Sequence, residues 1–166
     1  MTKSAPYGGG TSDLNGVKPM NRQQQLAPLV GRVLMALPLW SFASYKLGNW
    51  EMMLGWLQFK ALPMPSFLLG AAIVTEFVGG LLLISGFKVR WTAVVLILYL
   101  IPVHLTLHNY WTMEIGAERQ GQVEQFMKGL MIMGGLLFVA TFGPGQLSLD
   151  YWLRRRRAPA GGTPIP

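Results

Sequence analysis

This sequence predicts an all-α fold, a four-helix transmembrane bundle with its N- and C-termini cytoplasmic. Three observations carry that expectation. Of the residues, 51% are hydrophobic and only 13% are charged, whereas soluble domains carry about 25% charged residues. Four apolar segments of about 17–21 residues recur along the chain, each long enough to cross a bilayer as a helix. Basic residues collect at alternate segment ends, as the positive-inside rule requires. A mean hydropathy of +0.35 agrees. The length of 166 residues suits one membrane domain, expected at 26–150. A disordered cytoplasmic tail at 1–25 and a basic cytoplasmic tail at 151–166 are expected on either side.

Residues 1–25 are rich in Gly, Ser, Asn, Gln and Lys and contain no apolar run. The first span is expected at 26–45 and contains Arg32 and Pro38. The polar stretch before it is too long, and Arg32 too intrusive, for a cleaved signal peptide. Residues 47–66 mix Trp50, Trp56, Met52, Met53 and Phe59 with Glu51 and Lys60. That mixture predicts an interfacial amphipathic helix, ended by Pro63 and Pro65. The second span is expected at 67–87 and the third at 91–107. Only Lys88, Val89 and Arg90 separate them, so the two must be antiparallel neighbours. Residues 109–125 read as a polar, solvated loop, and the last span as 126–142. Gly79-Gly80-Leu81-Leu82 recurs as Gly134-Gly135-Leu136-Leu137 in that last span, and small residues of this kind let helices approach closely in lipid.

Orientation follows from the Lys and Arg positions. Nine (Lys3, Lys18, Arg22, Lys88, Arg90, Arg154, Arg155, Arg156, Arg157) fall on one side, with Arg32 at its edge; four (Lys46, Lys60, Arg119, Lys128) fall on the other. The richer side is expected in the cytoplasm. Arg154, Arg155, Arg156 and Arg157 then form a patch for lipid head-group contact. The net charge of +7 is explained by membrane topology, and no nucleic-acid partner is expected. Cysteine is absent, which excludes a dithiol mechanism.

Glu76 stands alone among apolar residues in the second span. A carboxylate at that depth costs on the order of 3 kcal/mol on insertion scales, so it is expected to face the protein and find a partner. Ala72, Gly79 and Gly80 share its helix face and predict a close interhelical contact. At about 1.5 Å per residue, Arg32 lies about 9 Å from the inner end, Glu76 about 16 Å and His104 about 20 Å. Side chains lean toward their own helix N-terminus. On that geometry Arg32 snorkels to the cytoplasmic side, while Glu76 and His104 lean together as a pair. His108 is one turn beyond His104, and Lys46 leans into the same layer. Lys46, Glu76, His104 and His108 are therefore the candidate polar pocket. Two readings stay open: a polar network that only fixes helix packing, or a ligand or proton site. The two histidines share one helix face, so bis-histidine haem is not expected. No metal site and no intrinsic cofactor are expected.

Several motifs in order resemble the DoxX family of four-helix bacterial and archaeal membrane proteins. They are Gly31-Arg32, Tyr45-Lys46-Leu47 and Leu62-Pro63-Met64-Pro65. Glu76-Phe77-Val78-Gly79-Gly80 followed by Leu81, Leu82 and Leu83 is similar to an E-x-x-G-G-x-L-L core. Phe126-Met127-Lys128-Gly129-Leu130 resembles F-x-K-N-L, with Gly129 in place of Asn. Gly143-Pro144-Gly145-Gln146-Leu147-Ser148-Leu149-Asp150 resembles a closing GPG-x-LSLD. The resemblance covers about residues 31–150 and implies a compact bundle in a bacterial or archaeal cytoplasmic (inner) membrane, multi-pass. The family's name comes from proteins resembling subunits of quinol oxidase and thiosulfate:quinone oxidoreductase systems. It implies a quinone as candidate cofactor, and a partner redox protein or a second copy of the chain. No catalytic residue carries over from it. Three functions remain open: a small subunit or accessory of a quinone-linked membrane oxidoreductase, a non-enzymatic anchor or assembly protein, and a small transporter-like protein. Tyr110 and Trp111 are candidates for an aromatic wall around a quinone ring.

Overall fold

The computed structural model describes residues 22–157. Six helices run α1 (Arg22–Gly48), α2 (Trp50–Phe59), α3 (Pro65–Ser85), α4 (Val89–Leu107), α5 (Ala117–Phe142) and α6 (Leu149–Arg157), with a 3-10 turn at Tyr110–Thr112. Four of them, α1, α3, α4 and α5, are long and apolar enough to cross a membrane. α1 packs along α3, α4 along α5, α3 beside α4, and α5 returns to α1, closing a ring of four. The short α2 lies against α3 and α1. The two ends of the bundle differ, and we call them the basic end, which carries Arg32, Lys88, Arg90 and α6, and the capped end, which carries α2 and the 3-10 turn.

Local chemistry sets the helix limits. Pro65 opens α3, where its fixed φ suits a helix and its missing N–H costs nothing. Gly86 closes α3 at φ +69°, a left-handed conformation that glycine adopts without Cβ strain. Its amide donates to Leu82 O at 3.0 Å. Lys88 then adopts φ +44° to start α4. Asp150 holds that turn: its carboxylate accepts the Lys88 amide at 2.8 Å and the Val89 amide at 3.1 Å. Asp150 thus caps α4, supplying acceptors for amides that a helix start leaves unpaired.

The core is aliphatic and tight. Ala36 and Leu39 of α1, Leu83 of α3, Ala93 and Leu96 of α4, and Leu136 of α5 are its centre. Glycine brings the helices close, as the repeated Gly-Gly-Leu-Leu segments suggest. A Cβ on Gly80 would come within 2.5 Å of Trp40 Nε1, one on Gly79 within 2.6 Å of Leu96, and one on Gly135 within 2.6 Å of Met35. Trp40 also donates its indole N–H to Phe77 O at 3.0 Å. Large apolar side chains such as Leu34, Leu98, Phe138 and Phe142 point outward, where lipid is their solvent.

Several expectations need adjustment. α1 begins at Arg22, so residues 22–25 of the expected tail are helical; residues 1–21 lie outside the described residues. The expected loop at 109–125 is helical from Ala117, so α5 starts nine residues before the apolar window. Its first two turns are polar but rich in Glu, Gln and Arg, good helix formers that need no apolar face to extend a helix out of the bilayer. The expected basic tail is helical through Arg157, and residues 158–166 lie outside the described residues. The interfacial helix is present as α2.

Arg32 does not snorkel. It is 1% exposed and locked inside the basic end. Its Nη1 donates to Leu83 O at 3.2 Å, Nη2 to Leu147 O, and Nε to Pro28 O at 3.2 Å. Leu83 O, near the end of α3, has only a long 3.3 Å bond from the Gly86 amide, Leu147 O lies in the loop before α6, and a buried guanidinium supplies several fixed donors at once. Gly86 gives it room, since a Cβ there would lie 2.1 Å from Arg32 Nη1.

Candidate functional site

A cavity of about 810 Å³ opens between the helices at the capped end. α2 roofs it with Met52, Met53 and Trp56, and Phe42, Leu69 and Leu100 line the walls below. The end of α2 is tied down by Lys60, which donates to Asn109 Oδ1 at 2.8 Å. Lys60 also lies over the Trp56 ring, 5.2 Å from its centroid.

All four sequence candidates, Lys46, Glu76, His104 and His108, line this cavity, but they do not form one network. Glu76 is 2% exposed. Its Oε1 accepts both the Lys46 ammonium, in an ion pair, and the Tyr99 hydroxyl at 2.8 Å. Its Oε2 is buried with no hydrogen-bond partner among the described residues. The expected Glu76–His104 pair is not made. α1 packs so closely on α3 that Lys46, in the last turn of α1, reaches the carboxylate first. His104 instead donates Nδ1–H to Leu100 O, one turn back, at 2.8 Å. A carbonyl can only accept, which fixes the proton on Nδ1. The rest of the ring fills a hollow at Gly129, where a Cβ would lie 1.6 Å from His104 Nε2. His108 Nδ1 bonds Gln122 Oε1 at 2.8 Å and so joins α4 to the polar start of α5.

Tyr99 and Gln122 are site residues that the sequence reading missed. Tyr99 was detectable as the one hydroxyl between Thr92 and Thr106 in α4. Gln122 fell in the segment read as a loop. Tyr110 and Trp111 do not line the cavity. They pack edge-on against Phe126, with centroids 5.4 and 5.8 Å away, and brace the 3-10 turn on α5. Among the described residues, no three His, Asp or Glu side chains converge as a metal site requires.

Chemically, the cavity is a mostly apolar chamber with the Lys46–Glu76 ion pair on one wall and His108, Glu118 and Gln122 also lining it. Lys46 and Glu76 are opposite charges in a water-poor layer, where electrostatic contacts are stronger than in bulk water. Intramembrane ionisable groups of this kind mark ligand and proton sites.

Comparison with known proteins places this architecture. The DoxX family model matches residues 27–109, half of the chain. The chain belongs to the DoxX family. The match runs from α1 to just past α4, and so includes Lys46, Glu76, Tyr99, His104 and His108. Among DoxX relatives, the Escherichia coli inner membrane protein YqjF is 30% identical over 141 residues, covering 82% of this chain and 99% of the relative. The Escherichia coli inner membrane protein YphA is 30% identical over 122 residues, 74% of this chain and 86% of the relative. The Saccharomyces cerevisiae ER-derived vesicles protein ERV29 is 33% identical over 78 residues, but that stretch is 47% of this chain and 25% of the relative. No solved structure matches the chain. With four spans and inner-membrane relatives, this DoxX protein is a multi-pass protein of the cytoplasmic membrane.

Proposed function

We propose that this protein is a small subunit or accessory of a quinone-linked membrane oxidoreductase system, and that the capped-end cavity holds the quinone ring. One observation carries the reading: buried Glu76, bonded to half-buried Lys46 and Tyr99, forms an ionic wall in a mostly apolar cavity. Small-molecule sites commonly measure about 300–1,000 Å³ and pair apolar walls with a few convergent polar groups. A quinone has that character. Its ring edge carries oxygens that need hydrogen bonds, and its isoprenoid tail belongs in lipid. Lys46 supplies donors to a ring oxygen, and Glu76, itself held by the Tyr99 hydroxyl, holds Lys46 in place. Electrons pass between the quinone and a partner redox protein.

The basic end faces the cytoplasm in this reading, because among the described residues Arg22, Arg32, Lys88, Arg90 and the four arginines 154–157 fall on that side, against Lys46, Lys60, Arg119 and Lys128 on the other. Arg154, Arg155 and Arg156 are exposed on α6, and Arg156 lies 3.6 Å over the Trp152 ring. α6 rests on anionic head groups, with Trp152 at the interface. Reporter fusions at Gly8 and Gly161 should both report the cytoplasm; a periplasmic signal from either would reverse the orientation.

The test of function is purification in mild detergent followed by solvent extraction. The expected result is a quinone at near one per chain, lowered when the cavity is narrowed by Ala72→Phe. A stoichiometric protein partner without quinone would favour an anchor or assembly role instead.

A further inference from the structure

We propose that the cavity takes the reduced form, a quinol, in preference to the oxidised quinone, with one phenolic hydroxyl set between Glu76 Oε2 and Lys46 Nζ. This rests on reading the cavity as a quinone site. The argument begins with an imbalance at Glu76. Two donors, Lys46 and Tyr99, converge on Oε1, while Oε2 is buried with none. A carboxylate can only accept, and leaving a buried acceptor unpaired is costly. The cavity that Glu76 lines is where a missing donor can come from.

Lys46 has the opposite surplus. An ammonium carries three N–H donors, and one is used on Glu76. An acceptor short of a donor and a donor short of an acceptor thus stand side by side on one wall. A hydroxyl satisfies both, because it donates to Oε2 and accepts from Nζ. A quinone carbonyl satisfies only Lys46 and turns its lone pairs toward the carboxylate. The terminal torsion of a glutamate is soft, so a small turn of the carboxylate brings Oε2 toward the cavity, with the flexible Lys46 chain following Oε1. Ala72, one turn before Glu76, also lines the cavity and leaves space in front of that wall. Sites that bind a hydroxyl reject analogues lacking it, because their own polar groups are then left unpaired.

The experiment uses the full chain in nanodiscs of synthetic phosphatidylcholine, under anaerobic conditions, with affinities from titration calorimetry. Four probes are compared: a short-chain ubiquinol, the matching ubiquinone, the dimethyl ether of the quinol, and an alkyl alcohol of similar size. The ether keeps the ring and its oxygens but cannot donate; the alcohol donates but has no ring. Quinol should bind at least about tenfold more tightly than the other three, roughly 1.4 kcal/mol. A redox titration of the bound couple should show its midpoint raised by about 30 mV for each tenfold preference. In Glu76→Gln the preference should vanish or invert, because an amide can donate to a carbonyl. Equal affinity for quinol and quinone in the wild-type protein would overturn this inference and leave the cavity a quinone site. An ether that binds as well as the quinol would overturn it too. An alcohol that binds as well as the quinol would reassign the wall to hydroxylated lipids. If neither quinol nor quinone binds, the proposed function itself fails. The probe series on the unaltered chain decides the matter even if the Gln variant does not fold.

Discussion

At the basic end, Arg32 aims its donors at the Pro28, Leu83 and Leu147 carbonyls, and Asp150 takes the Lys88 and Val89 amides. At the capped end, Glu76 takes two donors on one oxygen and leaves the other with none, beside a cavity of about 810 Å³. Both ends bury charge in a membrane protein, but for different ends. Arg32 and Asp150 bond to backbone groups of the helices and turns around them, so the groups they serve are already part of the fold. Glu76 bonds to side chains, incompletely, beside space that a small molecule can enter. That difference is what the proposed binding role of Glu76 rests on, where the sequence alone left packing and binding both open.

The comparison breaks most visibly at Arg32. Arg32→Met removes the donors from two inter-element carbonyls and leaves Asp150 without its nearby cation. The expected loss is about 2–5 kcal/mol, because each buried carbonyl left without its charged donor costs about 1–3 kcal/mol, read as a fall in Tm on the order of 10 °C in detergent. A Tm within about 2 °C of wild type would show that the basic end is not the structural lock.

Gly129→Ala is next. The added methyl meets the His104 ring, which must leave its hollow, at about 1–3 kcal/mol. Adding His104→Ala to Gly129→Ala should recover part of that loss, because the clash is gone. Thermal unfolding of the two single variants and the double variant gives the coupling, and simple additivity would sink the packing argument. Asp150→Ala should cost about 1–2 kcal/mol, the usual value of a helix cap. The Lys88 and Val89 amides should then exchange hydrogen faster, and unchanged exchange would contradict the cap. Tyr99→Phe should be smallest, at about 1 kcal/mol or less, because Lys46 still serves Oε1. A Tm loss as large as that of Arg32→Met would place Tyr99 in the structural class instead.

Much of the fold was legible in the sequence because span length, hydropathy and turn residues are local properties. The four spans, α2, the tight turn at Lys88 and the inward face of Glu76 all follow from patterns within about 20 residues. The grouping of Lys46, Glu76, His104 and His108 around one space was legible from depth, since rise per residue converts position into height. The bonding within that group was not. Height says nothing about which helices touch, and α2 intervenes between α1 and α3, so the closeness that brings Lys46 to Glu76 leaves no mark in loop length. His104 was misdirected for a related reason: its hollow depends on Gly129, 25 positions away on another helix. Arg32 was misread because its acceptors are carbonyls, which carry no residue identity.

The most direct test of the division between the two ends is the rise in Tm on saturation with short-chain ubiquinol, measured for wild type, Glu76→Gln and Asp150→Ala. Ligand at about 100 times its Kd adds about 2.7 kcal/mol to a folded protein that binds it. Glu76→Gln should unfold within a few degrees of wild type without ligand, because the amide keeps an acceptor for Lys46 and Tyr99, yet lose most of the rise. Asp150→Ala should start lower and keep the full rise. The opposite pattern, a Glu76→Gln protein that is destabilised but gains the full rise, would make Glu76 a packing residue and contradict the account.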